Sequence, residues 1–213
     1  MKVALIGGTG FVGSAVLKEL LQRGHAVTAL ARNPGKYAAQ EGLNVVEADV
    51  LDAAQVASAV KGHDAVIDAY NPGWKEPEIY KLFLQGTEAI LAGTKSAGVK
   101  RVLVVGGAGS LFVAPGVQLI DTEGFPEAYK AGASGAREAL NRIRGEKSLD
   151  WTFLSPPALL APGERSGNYR LGGEDLLMNG KEPAGISVAD LAVAIVDEIE
   201  QPRHVQKRFT VAR

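Results

Sequence analysis

Three glycines in the pattern Gly7-x-x-Gly10-x-x-Gly13 stand between the apolar run Val3–Ile6 and an amphipathic stretch that begins at Phe11. A strand entering a glycine turn that opens a helix is built to hold an anion. Gly7 makes the tight turn, Gly10 lets the main chain approach a diphosphate, and Gly13 lets helix and strand pack closely. Unpaired amides at the helix start and the helix dipole supply the attraction. The expected contacts to a dinucleotide are therefore Gly7, Thr9, Gly10, Phe11, Val12 and Gly13. A glycine-rich turn without a ligand is the alternative. No Gly-Lys-Ser/Thr follows, which argues against a P-loop ATPase.

The end of the second strand indicates which dinucleotide. NAD sites place an Asp or Glu there to receive the ribose hydroxyls. This chain has no acidic residue between Glu19 and Glu41, and the strand ends in Arg32, with Lys36 four residues on. A guanidinium at that point pairs with a 2′-phosphate, so NADP is expected and NAD is the alternative. Two later turns fit the same crevice. Asp49-Val50 would offer a carboxylate and main chain beside the adenine, and Asp68-Ala69-Tyr70-Asn71-Pro72-Gly73 would line the nicotinamide ribose. Both are equally readable as turns made of turn-favouring residues.

Positioning such a site requires strands alternating with helices. Val3–Ile6, Ala26–Ala31, Val45–Val46, Ala65–Ile67, Val102–Val105, Trp151–Leu154 and Phe209–Val211 are β-rich and mostly continuously apolar, as strands covered on both faces should be. Helical stripes run from Gly13 to Gly24, Ile79 to Ala97 and Val188 to Ile199. The expected fold is α/β: a doubly wound parallel sheet in one domain over 1–213, with 155–187 inserted as an irregular lobe. A second irregular stretch is expected from Gly106 to Pro126.

Composition narrows the function classes. The 213 residues contain no cysteine, which excludes thiolate metal sites, disulfides and a cysteine nucleophile. No metal site is expected. Lys+Arg 23 against Asp+Glu 24 leaves a net charge of −1, so neither nucleic acid nor a membrane is an expected partner. The N-terminal apolar run is too short for a signal peptide, and a cytoplasmic location is expected. The 26 glycines, about 12% of the chain against a usual ~7%, cluster after apolar runs, where close main-chain approach needs them.

With these residues in view, the chain resembles the short-chain dehydrogenase/reductase superfamily. More narrowly it resembles the atypical NAD(P)H-binding branch that holds nitrogen-metabolite-repressor-like, biliverdin-IXβ-reductase-like and NADH–flavin-reductase-like proteins, often labelled epimerase/dehydratase-like. The carriers are Gly-Gly-Thr-Gly-Phe-Val-Gly (7–13), Val-Gly-Gly-Ala-Gly-Ser (105–110), Pro-Gly-Glu-Arg-Ser-Gly-Asn-Tyr-Arg-Leu-Gly (162–172) and Ile-Ser-Val-Ala-Asp-Leu-Ala (186–192). The resemblance implies a Rossmann domain with a small C-terminal substrate lobe. It places Gly106 against the cofactor and Ser110 in the region of the catalytic serine, and Ser155-Pro156-Pro157 would wall the nicotinamide pocket, with simple strand termination as the alternative. A loop serine bonded to its own backbone is the plainer reading of Ser110.

One departure selects among reactions. The main superfamily uses Tyr-x-x-x-Lys, in which lysine acidifies the phenol for proton transfer. The residues four after Tyr37, Tyr70, Tyr80, Tyr129 and Tyr169 are Glu41, Trp74, Leu84, Ala133 and Gly173. Tyr129-Lys130 are neighbours and point about 100° apart on a helix. Without that relay, hydride transfer to a planar conjugated acceptor such as a flavin is favoured over reduction of a simple ketone. A non-catalytic NADP(H) sensor is the alternative, and a sugar-nucleotide epimerase a weaker one. Trp74 reads as a stacking residue or a loop anchor. Tyr169 and Arg170 read as a substrate lid or as ordinary packing and surface charge. His25 and His63 precede strands and should lie at the sheet end away from the ligand.

Overall fold

Eight strands stand at the centre of the computed structural model, which describes residues Met1–Arg213, and the apolar β1 and β5 run directly into glycine turns. In chain order they are β1 (Lys2–Ile6), β2 (Ala26–Ala31), β3 (Leu43–Glu47), β4 (Ala65–Asp68), β5 (Arg101–Val105), β6 (Asp150–Ser155), β7 (Arg170–Gly172) and β8 (Lys207–Ala212). Their spatial order is β7-β8-β6-β5-β4-β1-β2-β3. All neighbours are parallel except the edge strand β7, which runs antiparallel to β8 with Leu171 opposite Val211. The helices are α1 (Phe11–Gln22), α2 (Ala53–Val60), α3 (Ile79–Ser96), α4 (Glu127–Ile143) and α5 (Val188–Glu200).

Successive strand residues serve two separate cores, because side chains alternate across a sheet. Ala4, Ile6, Val66, Val102, Val104 and Phe153 pack with side chains of α2, α3 and α4. Val3, Leu5, Ala65, Ile67, Leu103, Leu154 and Phe209 pack with those of α1 and α5. This is the doubly wound Rossmann arrangement. Strand order reverses between β1 and β4, which opens the ligand crevice at the carboxyl ends of these strands. Helix α2 has too short an apolar repeat to stand out in sequence. Asp52 starts it, its carboxylate accepting the amides of Ala54 at 2.8 Å and Gln55 at 3.2 Å.

The two irregular stretches are more ordered than their sequences suggest. Between Gly106 and Pro126 lie two 3₁₀ turns, Ala108–Ser110 and Leu119–Asp121, and a bulged hairpin of Phe112–Ala114 with Val117–Gln118. In the insertion between β6 and α5, Leu159–Ala161 pairs in parallel with Gly185–Ser187, and Met178–Asn179 pairs with Glu182–Pro183. The two stretches join where the Phe112 amide donates to Glu174 O at 2.9 Å and the Leu176 amide to Phe112 O at 2.8 Å.

Residues 165–169 are strapped onto α1 and α5. Arg165 donates twice to the buried Glu19, from Nε and Nη2 at 2.8 Å each, and Arg23 Nε donates to the same carboxylate at 2.7 Å. The buried Asp190 accepts the amides of Ser166 and Gly167 and the Ser166 hydroxyl, each at 2.7 Å. Tyr169 Oη donates to Asp197, and Arg170 Nη2 donates to Met178 O and Asn179 Oδ1. Tyr169 is thus tied to α5, and Arg170 is paired within the lobe.

The other end of the sheet is closed by Glu198, 4% exposed, which accepts from Arg101 Nη2 at 3.0 Å and from the amides of Arg203 and His204. Its Oε2 also pairs with His204 Nδ1 at 2.8 Å. His25 and His63 lie at this end too, His25 bridging the Met1 amine and Glu200, His63 bridging Val60 O and Thr28 Oγ1. Removing one partner of a buried ion pair leaves an uncompensated charge, at about 3–5 kcal/mol. Glu198→Ala should therefore lose about that much in urea denaturation; a loss below about 1 kcal/mol would show that Arg101 is solvated in the folded protein.

Candidate functional site

The glycine turn is a place where main chain meets main chain. Gly7 has φ +78°, and a Cβ there would stand 2.3 Å from Ala69 O at the end of β4. A Cβ on Gly13 would stand 2.1 Å from Gly7 O, so Gly13 packs α1 onto the turn itself. Gly10 is different. Its amide donates to Gly7 O at 2.9 Å, its φ is an ordinary −80°, and an added Cβ would meet only Gly7 O, at 3.2 Å. No side chain caps α1, and its first turn carries no acidic residue. The amides that begin the helix are left for an anion, and a diphosphate fits that donor set. Phe11, half exposed, flanks the turn, and Tyr37 reaches over it: a Cβ on Gly8 would lie 2.7 Å from the Tyr37 hydroxyl. Tyr37 lies beyond the strand motif and carries no spacing signal of its own.

On the β2 side of the turn, Arg32 is exposed and joins none of the chain's salt bridges. Its charge reaches Tyr70: burial pushes the Tyr70 hydroxyl above its usual pKa, and the Arg32 guanidinium opposes that shift. Asn33 holds the following 3₁₀ turn, Pro34–Lys36, by accepting the Gly35 amide at 3.1 Å. Asp49 Oδ1 accepts the Leu51 amide at 3.0 Å, so the carboxylate shapes its own turn. The Val50 side chain is in the core, and only its main chain can face the crevice.

On the β4 and β5 side, Ala69 presents its carbonyl to Gly7, and Tyr70 lies against α3, where a Cβ on Gly86 would come within 2.2 Å of its ring. Asn71 Oδ1 accepts the Gly73 amide at 2.8 Å, an Asx turn. Gly106 leaves room for Phe153, whose ring lies 2.1 Å from where a Cβ would be, and its amide donates to Leu154 O. Pro156 follows β6 directly and is buried. Ser110 is 2% exposed, and its Oγ accepts from Arg208 Nη1 at 3.0 Å, leaving the hydroxyl hydrogen to donate elsewhere. Tyr129 stacks edge to face on Trp74, while Lys130 pairs with Glu127 at 3.6 Å. No tyrosine–lysine couple forms. The tyrosines whose acidity is displaced, Tyr37, Tyr70 and Tyr169, are all weaker acids than usual, chiefly through burial.

Asp68 opens the turn after β4 as the last residue of that strand, opposite Ile6, and at 2% exposed it is far more buried than a turn carboxylate need be. Its carboxylate accepts only the Tyr70 amide, at 2.9 Å, and burial pushes its pKa from 3.8 up to about 7. A carboxyl more basic when folded than unfolded binds its proton more tightly in the native state. Its contribution to stability therefore falls as pH rises from about 4 to about 7 and is level above that. Asp68→Asn keeps the hydrogen-bond acceptor and removes the charge. In urea unfolding it should exceed the parent by at least ~1 kcal/mol at pH 8 and match it near pH 4; equal pH profiles would show that Asp68 titrates normally.

Comparison with known proteins agrees with this geometry. The model of a family described as NAD(P)H-binding matches residues 7–202. Over 99% of this chain and 98% of its own length, the Bacillus subtilis protein YwnB, itself uncharacterized, is 41% identical. Two solved structures superpose closely. One, from Bacteroides thetaiotaomicron and provisionally labelled an epimerase, has TM-score 0.92 and 46% identity, covering 99% of this chain and 96% of that one. The other, from Streptococcus pneumoniae and provisionally labelled an NADH-flavin reductase, has TM-score 0.87 and 34% identity, covering 100% and 99%. With a glycine turn at the switch point of a doubly wound sheet and a family match over residues 7–202, this chain belongs to the NAD(P)H-binding family, in the atypical short-chain dehydrogenase/reductase branch.

Proposed function

We propose that this protein is an NADPH-dependent oxidoreductase that passes hydride to a flavin or another planar conjugated acceptor. The observation that carries the reading is the pairing of an uncapped, acid-free α1 start with a crevice that contains no tyrosine–lysine couple. When bound, the reduced nicotinamide would supply the hydride. The chain's part is to bind and orient. The main chain of Gly7, Thr9, Gly10, Phe11, Val12 and Gly13 would hold the diphosphate, with Arg32 on the 2′-phosphate and Asp49 and Val50 beside the adenine. Ala69, Tyr70, Asn71, Gly106 and Pro156 would line the nicotinamide half. Ser110, its oxygen fixed by Arg208, would use its free hydrogen to orient the carboxamide or the acceptor.

A ketone needs a proton delivered as charge builds on its oxygen, and here each displaced phenol has moved in the wrong direction for that work. A conjugated acceptor spreads the charge over its own rings and takes its proton from water, so positioning suffices. The label of the Streptococcus pneumoniae relative is consistent with this choice. The same missing couple is what a non-catalytic NADP(H) sensor would show, and that is the second reading.

NADPH oxidation followed with FMN, FAD and quinones separates the two. Acceptor-dependent turnover is the expected result, whereas tight NADP(H) binding with no turnover on any acceptor would favour the sensor. For the cofactor, Arg32→Asp should weaken NADPH binding by about tenfold or more, ~1.4 kcal/mol, and NADH by less than about twofold in calorimetry. Equal losses for both would remove the 2′-phosphate from Arg32.

A further inference from the structure

Trp74 and Tyr129 are distant in sequence and meet edge to face, with ring centroids 5.0 Å apart and planes at 79°. Trp74 is on the segment between β4 and α3, and Tyr129 is in the first turn of α4, which follows β5. The topology therefore places the pair at the carboxyl-end rim of β4 and β5. Arg32 follows β2 directly, on the other side of β1. A dinucleotide whose adenosine end lies at Arg32 and whose diphosphate lies on the Gly7 turn directs its nicotinamide half toward this rim.

The pair is fixed yet open to solvent. Trp74 is 55% exposed and Tyr129 49%. Gly132, inside α4, makes the seat for Trp74: a Cβ there would fall 2.7 Å from Trp74 Cζ3 and 2.9 Å from Ile79 Cδ1. A glycine within a helix is unfavourable relative to alanine. In return the fold receives an indole that leaves more than half its surface in water. A tryptophan used purely as an anchor looks like Trp151, 3% exposed with Nε1 donating to Glu146 O at 3.1 Å. A rigid exposed aromatic corner suits a planar π-system, because such rings offer large contact area with little entropy left to lose.

We propose that Trp74, braced by Tyr129, is the stacking platform for the acceptor's ring system, and that Trp74 sets the preference for tricyclic isoalloxazines. This rests on the reductase reading above, and the test separates the two. Trp74 and Trp151 are the only tryptophans. In Trp151→Phe, Trp74 is therefore the sole indole emitter, and its emission is followed as riboflavin, FMN and FAD are added to the NADP⁺-saturated protein. Should that core variant not fold, the flavin's own emission, quenched on stacking, gives the same isotherm with the native chain.

Saturable quenching is expected, with dissociation constants that agree within about threefold for the three flavins because they share one ring. Trp74→Ala should raise the flavin dissociation constant and KM about tenfold or more, leave NADPH affinity within twofold, and be largely rescued by Trp74→Phe. An active Trp74→Ala enzyme with unchanged flavin KM would overturn the platform and leave the reductase reading intact. If the native protein turns over no acceptor, the reductase reading fails. The isotherm then decides the platform alone: Trp74-dependent flavin binding supports it, and no saturable binding overturns it.

Discussion

The ligand end of the sheet depends on main-chain segments meeting with no side chain between them. The Gly7 carbonyl lies under Gly13, and the Ala69 carbonyl lies against Gly7, so the turn after β1, the start of α1 and the end of β4 are mutually wedged. A methyl group at position 7 or 13 would have to displace backbone, which cannot yield as a flexible side chain does. Because the three segments are in contact, the amides of the α1 start are aimed by the whole centre of the sheet. Their geometry is set before any anion arrives, and preorganised donors of this kind lose little on binding.

Around that wedge the charges are distributed unequally. Arg32 stands exposed and free of salt bridges on the β2 side, while Asp68 is buried on the β4 side with one amide for company. Desolvation leaves Asp68 only about half ionised at neutral pH, which lessens the negative charge beside the turn that would receive a diphosphate. Burial also weakens the acidity of Tyr37 and Tyr70, so both phenols stay neutral.

The lobe between β6 and α5 divides its work. Arg165, Ser166, Gly167 and Tyr169 are held on the helical face by Glu19, Asp190 and Asp197. Glu174 and Leu176 continue to the opposite side and meet Phe112, and Arg208 joins the Glu174 carbonyl to Ser110. The motif 162–172, whose resemblance pointed toward a substrate lobe, is in its larger part an ionic strap across α1 and α5. Spacing in sequence offers no means of recognising this. Glu19 and Arg165 belong to different elements, and only folding brings the carboxylate and the guanidinium together.

Local patterns were enough for the strand–turn–helix start, the alternating α/β order, the buried parallel strands and the missing tyrosine relay, because each follows from period, composition or spacing within a few residues. Arg32 stood out in the same way, through the absence of a nearby acid. Tertiary structure alone decided that Asp68 would be dehydrated, that Tyr37 would overlie Gly8, that Ser110 would be bonded to Arg208, and that Trp74 would meet Tyr129 on a seat cleared by Gly132. The physical reason is common to all four. Burial, charge environment and ring contact are properties of neighbours, and here those neighbours come from other strands and helices, so the chemistry of these residues exists only once the sheet has closed around them.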